Sequence, residues 1–382
     1  MNVALVHESL ATRGGAERVF TELIKTFPDA SVYALEGPTN GDWGKVTTSF
    51  LRYIPASLRR RRLSLPMHPI APETFDLSAA DVVISSSSAF AKGIVTRPTT
   101  LHLCYCHAPT RFLWDWHGET VRDAAFGSGR TWALGVILHG FRLWDHAAAR
   151  RVDQFIANSE TTRARIRKYY GRDSDVIYPP VELPPSATPL STTHPRTYFL
   201  FLGRLSPYKR ADLVIEAFNK LELPLVVAGE GSELPRLRKL ARAGITFLGF
   251  VPDEDLAELY ARARAVIFPC DDDFGIVPVE AMAAGTPVLA LRRGGAMETV
   301  IEGVTGEFFD EAEEELLADC VRRFLEQEGS YTVSVLQEHA RQFSTDRFRT
   351  QIETFVRDTW HRWRAQRTLG KRHRGATSVE EP

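Results

Sequence analysis

Cysteine is scarce in this chain of 382 residues. There are four, two of them in Cys104-Tyr105-Cys106. Four are too few for a disulfide framework, and side chains two apart on a strand share a face in a geometry that strains a bridge. The reading is reduced thiols in a cytoplasm-like compartment. An excess of charge is also missing: 47 Lys and Arg against 48 Asp and Glu leave a net charge of −1. That argues against a dedicated nucleic-acid binder, whose domain would be strongly basic. No uninterrupted apolar run approaches the ~18 residues that a membrane span needs. The opening Met1-Asn2-Val3-Ala4-Leu5-Val6 turns polar at His7-Glu8-Ser9. It is too short for a signal peptide and reads as a first strand.

What is present is an ordinary globular composition, 44% hydrophobic and 25% charged. The length is long for one domain, so two are expected. Val3–Val6 is followed by Gly14-Gly15 and by helical spacing over Ala16–Thr26, with Val19, Phe20, Leu23 and Ile24 on one face. That is a strand, glycine loop and helix of the doubly wound kind. Further strands are expected at Ser31–Leu35, Val82–Ser85, Leu101–Cys106 and Gln154–Asn158, with Ser159 capping a helix from Glu160. A second block opens with Tyr198–Gly203, then a helix over Ala211–Leu221. Strands follow at Leu225–Ala228, Thr246–Gly249, Ala265–Pro269 and Pro287–Ala290. Alternation of this kind implies a mostly parallel sheet with ligands at the C-terminal strand ends.

The expected division is a first domain over 1–182, a Pro/Ser/Thr-rich linker over 183–196 and a second domain over 197–344. A helix over 345–365 is able to lie along either domain or cross back to the first, and a polar, disordered tail covers 366–382. Two doubly wound domains on one linker are expected to leave a cleft between them.

The most informative segment is 271–285, Asp-Asp-Asp-Phe-Gly-Ile-Val-Pro-Val-Glu-Ala-Met-Ala-Ala-Gly. It joins a buried strand to a helix start, with Asp272 and Glu280 eight positions apart and Gly275 between them. Free N–H groups at a helix start attract phosphate, and carboxylates accept from sugar hydroxyls. A site combining the two suits a nucleotide sugar.

Together with Gly203-Arg204-Leu205-Ser206-Pro207-Tyr208-Lys209-Arg210, Gly14-Gly15-Ala16-Glu17-Arg18 and Cys106-His107-Ala108-Pro109-Thr110-Arg111-Phe112-Leu113-Trp114, this segment resembles the retaining GT-B glycosyltransferases of family 4. Within that family it looks like the mannosyltransferases of bacterial polysaccharide and lipopolysaccharide assembly. The resemblance covers nearly all of residues 1–365 and is weaker over 37–80 and 117–150. It implies an α/β GT-B fold of two Rossmann-like domains facing across a cleft. It also implies transfer of a hexose, first of all mannose from GDP-mannose, to a lipid-linked or oligosaccharide acceptor with retention. Other GT-B enzymes, such as a nucleotide-sugar epimerase or a synthase, and an inactive sugar-nucleotide-binding scaffold are the alternatives.

Carried over residue by residue, the resemblance makes Arg204 and Lys209 the pair that holds the donor diphosphate. Glu280 becomes the ribose ligand. Asp272 takes the position where the family usually has Glu, one methylene short, with Asp271 or Asp273 able to compensate. Phe274, Gly275, Ile276 and Val277 match the loop whose N–H groups face phosphates and sugar. His107 matches the active-site histidine, and Gly15 the glycine of the first loop, where backbone and diphosphate or acceptor approach closely. His7 and His102 carry weaker cases. Trp114 and Trp116 either stack on acceptor sugars or pack in the core. No metal is expected: Asp271-Asp272-Asp273 contains an Asp-x-Asp pattern, but the resemblance assigns diphosphate neutralisation to the two cations. Arg59-Arg60-Arg61-Arg62, flanked by Tyr53, Ile54, Leu65 and Met67, is either a contact to anionic membrane or a solvated loop. Trp132–Trp144 reads as a helix in the cleft or core. Localisation is expected to be cytoplasmic, peripheral on the inner face of the cytoplasmic membrane.

Overall fold

The computed structural model describes residues 1–11, 14–39, 43–55, 64–116, 118, 128–183 and 196–375. The chain divides into two compact units, Met1–Ile177 with Phe348–Pro382, and Tyr178–Arg347.

In the first unit the strands are β1 (Val3–Ser9), β2 (Ser31–Glu36), β3 (Val46–Thr48), β4 (Val82–Ser87), β5 (Leu101–Cys106), β6 (Gln154–Ala157) and β7 (Ser174–Val176). They form a parallel sheet in the order β3-β2-β1-β4-β5-β6-β7. The chain runs outward from β1 to β3, then returns to β4 on the other side of β1. That reversal is the topological switch point of a doubly wound sheet. The helices are α1 (Gly15–Thr26), α2 (Ser128–Arg150) and α3 (Glu160–Tyr170). Ser159 caps α3 as expected, its Oγ accepting from Thr162 N at 2.9 Å.

The second unit carries β8 (Tyr198–Leu202), β9 (Leu225–Ala228), β10 (Ile245–Gly249), β11 (Ala263–Phe268), β12 (Val288–Leu291) and β13 (Gly306–Phe309). The order β10-β9-β8-β11-β12-β13 is again parallel, with the reversal between β8 and β11. Its helices are α4 (Ala211–Leu221), α5 (Leu234–Leu240), α6 (Asp253–Ala261), α7 (Ile276–Ala283), α8 (Ala296–Thr299), α9 (Glu314–Gln327) and α10 (Val333–Ala340). The apolar face expected for α4 is buried as Leu213, Val214, Ala217 and Phe218. Both units are therefore Rossmann-like. The sequence reading missed β3, β7 and β13, which are three or four residues long and lie at or next to sheet edges, too short to show a period.

The last helix, α11 (Thr345–Gly375), starts where expected and extends past the expected end at 365. From Phe348 it belongs to the first unit. Phe348, Ile352, Val356 and Trp360 are buried in one apolar cluster with Leu5, Phe20, Val82 and Leu101. Arg349 Nη2 is 2.6 Å from Glu22 Oε2 on α1. The helix runs ten residues past 365, a stretch that no proline interrupts. Arg364 lies over Trp360 at 5.6 Å, and Arg367 lies over Trp363 at 4.6 Å and donates to the Pro98 carbonyl. At the other junction, Tyr178 to Val181 belong to the second unit rather than the first. Val181 N donates to Phe343 O at 2.9 Å, and the Tyr178 ring packs on Phe274 at 5.6 Å. Most of the expected linker, the basic run Arg59–Arg62 and residues 376–382 lie outside the described residues.

Buried polar groups shape the first unit. Glu8 Oε1, at the end of β1, accepts from the backbone N–H of Ser88, Ala89, Phe90 and Ala91 and from Ser87 Oγ at 2.8–3.1 Å. One carboxylate thus fastens the turn after β4. Lys92 from that turn is buried against Asp145 of α2 at 2.6 Å, and Asp145 also accepts from Thr110 Oγ1 and Trp114 Nε1. All four cysteines are free and buried, and burial pushes the Cys104 thiol up to about 12. Among the described residues no helix is long and apolar enough to cross a membrane.

His102, the second residue of β5, is fully buried with Nε2 2.8 Å from Ser85 Oγ, and burial lowers its pKa to about 3. The unfolded chain therefore takes up a proton near pH 6.5 that the folded chain refuses until about pH 3. Stability from this group is present above pH 6.5 and is lost as pH falls toward 3, by up to about 1.4 kcal/mol per pH unit in that window. Urea unfolding between pH 7 and 4 is expected to show this decline, and His102→Gln is expected to reduce its slope by the share of one histidine, leaving that of His107. An unchanged slope would show that His102 is not held neutral.

Candidate functional site

The second unit gathers eight of the expected residues at the switch point between β8 and β11. After β8 the chain turns through Gly203 and Arg204 into a 3-10 turn, Pro207–Lys209. After β11 it runs through Asp272 to Gly275, which precedes α7. The two strands are neighbours, so both loops leave the same rim. Lys209 Nζ donates directly to Asp272 Oδ2. Burial works against the ammonium, but the Asp272 carboxylate beside it outweighs that, and the pKa rises above the usual lysine value. The lysine is charged at any working pH. Arg204 is exposed and pairs with no carboxylate among the described residues. In the same turn Ser206 Oγ is buried without a hydrogen-bond partner among them.

Gly275 takes φ +81°, the left-handed region that favours glycine, and a Cβ there would lie 2.9 Å from Phe268 Cζ. Its conformation aims the chain into α7, so that the N–H groups of Ile276 and Val277 form that helix's first turn. The Phe274 side chain is 3% exposed and packs on Tyr178 and Phe343, which makes it core and leaves its backbone for any ligand. Glu280 lies one turn further along α7, half-buried. Its Oε2 accepts from the Tyr260 hydroxyl at 2.7 Å, and Tyr260 is itself 2% exposed on α6. The buried phenol fixes the carboxylate's direction. Nothing in the spacing of the sequence pairs these two.

A second feature missed in the sequence is Gly294-Gly295, between β12 and α8. Gly295 N donates to Asp272 O at 2.9 Å, and Gly294 stands at φ +62° with no room for a Cβ against the Asp272 carbonyl. This turn backs the acidic loop. The signal in the sequence is a Gly-Gly pair after a strand, the same sign that stands at Gly14-Gly15.

The other expected residues belong to the first unit. Gly15 is the first residue of α1, beyond β1. His107 follows β5, its N–H donating to Ser87 O at 2.9 Å and its Nε2 lying 2.7 Å from Ser86 Oγ. Burial, then the neighbouring His7, lower its pKa to about 3, so the ring is neutral near pH 7. His7 is buried too, stacked on Phe20 at 4.6 Å. Trp114 resolves toward packing: it stacks on Tyr169 at 5.0 Å and donates to Asp145 at 2.8 Å. Trp116 lies under the Arg111 guanidinium at 4.2 Å.

Replacing Gly294 by Ala is expected to cost on the order of 2 kcal/mol, from positive φ and overlap with the Asp272 carbonyl. It should also displace the acidic loop. Urea unfolding of the variant checks the first effect, and a wild-type midpoint would contradict the packing described.

Two family models match successive parts of the chain. Glycosyltransferase Family 4 covers residues 13–183, and Glycosyl transferases group 1 covers residues 189–344. A D-inositol 3-phosphate glycosyltransferase of Mycolicibacterium smegmatis is 32% identical over 216 residues, 50% of this chain and 50% of that one. The match thus spans about half the length of that curated relative. Among solved structures, Anabaena HepE in complex with UDP-glucose superposes with a TM-score of 0.65 at 21% identity, over 94% of this chain and 100% of the other. The sucrose-phosphate synthase of Thermosynechococcus elongatus superposes with a TM-score of 0.70 at 18% identity, over 94% and 99%. With two Rossmann-like units and both family matches in order along its length, the chain belongs to the family 4 glycosyltransferases of GT-B fold.

Proposed function

We propose that the protein transfers a hexose from a nucleoside-diphosphate sugar to an acceptor hydroxyl with retention at the anomeric carbon. The observation that carries this reading is the grouping at the β8/β11 rim: a charged Lys209, an exposed Arg204, the N-terminus of α7 and the anchored carboxylate of Glu280. Two cations and a helix start suit a diphosphate. An anchored carboxylate suits the ribose hydroxyls. In the step proposed, the bond from the anomeric carbon to the diphosphate oxygen breaks. The acceptor oxygen bonds to the same face of that carbon, and its proton passes to the departing phosphate oxygen. Arg204 and Lys209 stabilise the leaving diphosphate, which is the charge that grows most in the transition state.

The ion pair gives Asp272 a second part. With no donor bound it holds Lys209 in place, and a diphosphate arriving at Lys209 releases the shorter carboxylate toward the sugar. GDP-mannose, implied by the sequence resemblance, is the first donor to test. UDP-glucose, which the Anabaena HepE structure holds, is the second. The acceptor proposed is lipid-linked or an oligosaccharide, met at the inner face of the cytoplasmic membrane. Diphosphate neutralisation by the two cations is proposed to need no metal. Because Asp272 is engaged by Lys209, a nucleotide-sugar binder without turnover is the second reading.

Nucleoside diphosphate release from a panel of nucleotide sugars, with and without sugar acceptors, tests the proposal. Lys209→Ala and Glu280→Ala are each expected to lower turnover by about 10²-fold or more. Binding without release from any donor in the panel would favour the second reading. Activity is expected to survive EDTA, and its complete loss would point to a metal at the acidic loop. The product is expected to keep the donor's anomeric configuration by NMR, and inversion would refute the proposed step.

A further inference from the structure

The turn after β4 is folded around an anion that the chain itself supplies. Glu8 Oε1 accepts from four successive backbone N–H groups: Ser88 at 3.1 Å, Ala89 at 2.8 Å, Phe90 at 2.8 Å and Ala91 at 3.0 Å. The Ser87 hydroxyl donates to the same oxygen at 3.0 Å and accepts from Lys92 N at 3.2 Å. No direction in this set is open to choice. Backbone N–H groups only donate, and a carboxylate only accepts. The hydroxyl receives from Lys92 and gives its one proton to Glu8.

Five donors thus converge on one oxygen that has two lone pairs. They act together as a concave patch of N–H and O–H dipoles, of the kind that binds anions. A neutral oxygen carries too little charge to answer them, since charge-assisted bonds are roughly twice as strong as neutral ones. Ser87, Phe90, Ala91 and Lys92 are buried, so water has no access from that side. Lys92 adds a full positive charge in the same turn, paired with Asp145 at 2.6 Å. The position of the patch matters as much as its composition. Glu8 is the last residue but one of β1, and Ser87 is the last of β4. These strands are neighbours where the order reverses, and ligands of a doubly wound sheet enter at that reversal, beyond the C-terminal strand ends. A ligand's phosphate arriving there would settle on these N–H groups, but Glu8 already occupies them.

We infer that Glu8 is the built-in occupant of an oxyanion site at the rim of the first unit, and that it excludes phosphate from this rim and so selects an acceptor that is uncharged where it meets β1 and β4. The selection of the acceptor rests on the glycosyl-transfer reading above, whereas the occupancy does not. Truncating Glu8 leaves the same N–H groups in place, and they then take up a small oxyanion from solution.

Thermal unfolding of the full chain in sodium formate and in sodium chloride at equal ionic strength tests the occupancy. The wild type is expected to melt alike in both. Glu8→Ala is expected to melt roughly 5 °C or more lower in chloride. Formate restores the missing carboxylate and is expected to recover most of that loss, increasingly with concentration. Glu8→Gln keeps the bulk without the charge, and is expected to melt lower in both salts with no gain from formate. If Glu8→Ala does not fold in chloride, its refolding yield in formate against chloride gives the same measure. In a Lys209→Ala background, which removes a cation of the second unit, inorganic phosphate is expected to stabilise the chain only when Glu8 is also Ala. Between a neutral sugar acceptor and its monophosphate, wild-type transfer is expected to favour the neutral one, and Glu8→Ala to move the kcat/KM ratio toward the monophosphate about tenfold. Formate acting on Glu8→Ala no better than chloride would overturn the inference. So would phosphate stabilising the Lys209→Ala chain equally with and without Glu8, or a wild-type preference for the monophosphate. If the anions behave as stated and no donor yields transfer, the functional reading and the selection of the acceptor fall, and the occupancy stands. If transfer proceeds and formate has no special effect, the occupancy falls alone.

Discussion

The reversal of strand order in each parallel sheet is the constraint on which the rest of this protein depends. Parallel strands bury both faces under helices, and their polar loops emerge at the ends. Where the order reverses, the helices after the two central strands pass to opposite faces, and the strand ends between them are left uncovered. In the second unit those strands are β8 and β11, and their loops bring Lys209 to Asp272 across 63 positions of sequence. In the first unit they are β1 and β4, and they bring His7 to Ser86 across 79. The same rule of chain topology has built a charged site in one unit and a buried, hydrogen-bonded cluster of His7, Ser86 and His107 in the other.

The two sites differ because their surroundings treat charge differently. Lys209 is partly open and sits beside a carboxylate, so its charge is held in place. His107 is buried with no carboxylate bonded to it, so its charge is suppressed. The first unit does bury a full ion pair, Lys92 with Asp145, but surrounds it with the Thr110 hydroxyl, the Trp114 indole and the Ala89 carbonyl. Buried charges persist only with such partners. The second unit therefore presents a cationic rim, and the first a neutral imidazole at His107.

Much of this architecture was legible in the residues. Runs such as Tyr198–Leu202 and the face Leu213, Val214, Ala217 and Phe218 announce buried strands and half-buried helices, because burial imposes a period on the sequence. The edge-side strands β3 and β7 were not, since three residues carry no period. The end of α11 was missed for another reason: beyond 365 the sequence is polar, and Arg367 finds its partners in the Trp363 ring and the Pro98 carbonyl. Tyr260 and Gly294 were invisible as members of the site. A buried tyrosine reads as core, and the need for a missing Cβ arises only when another segment's carbonyl lies against it.

The sequence by itself determined the α/β alternation, because burial imposes a local period, and through its family resemblance it pointed to Arg204, Lys209, Asp272 and Glu280 as candidate members of a nucleotide-sugar site. Tertiary structure decided what each of them does. It set Lys209 on Asp272, turned Glu280 by means of Tyr260, sent Trp114 to packing and returned α11 to the first unit. It also brought His7, Ser86 and His107 within hydrogen-bond distance of one another. A hydrogen bond depends on who is within about 3 Å, and distance in sequence carries no information about that.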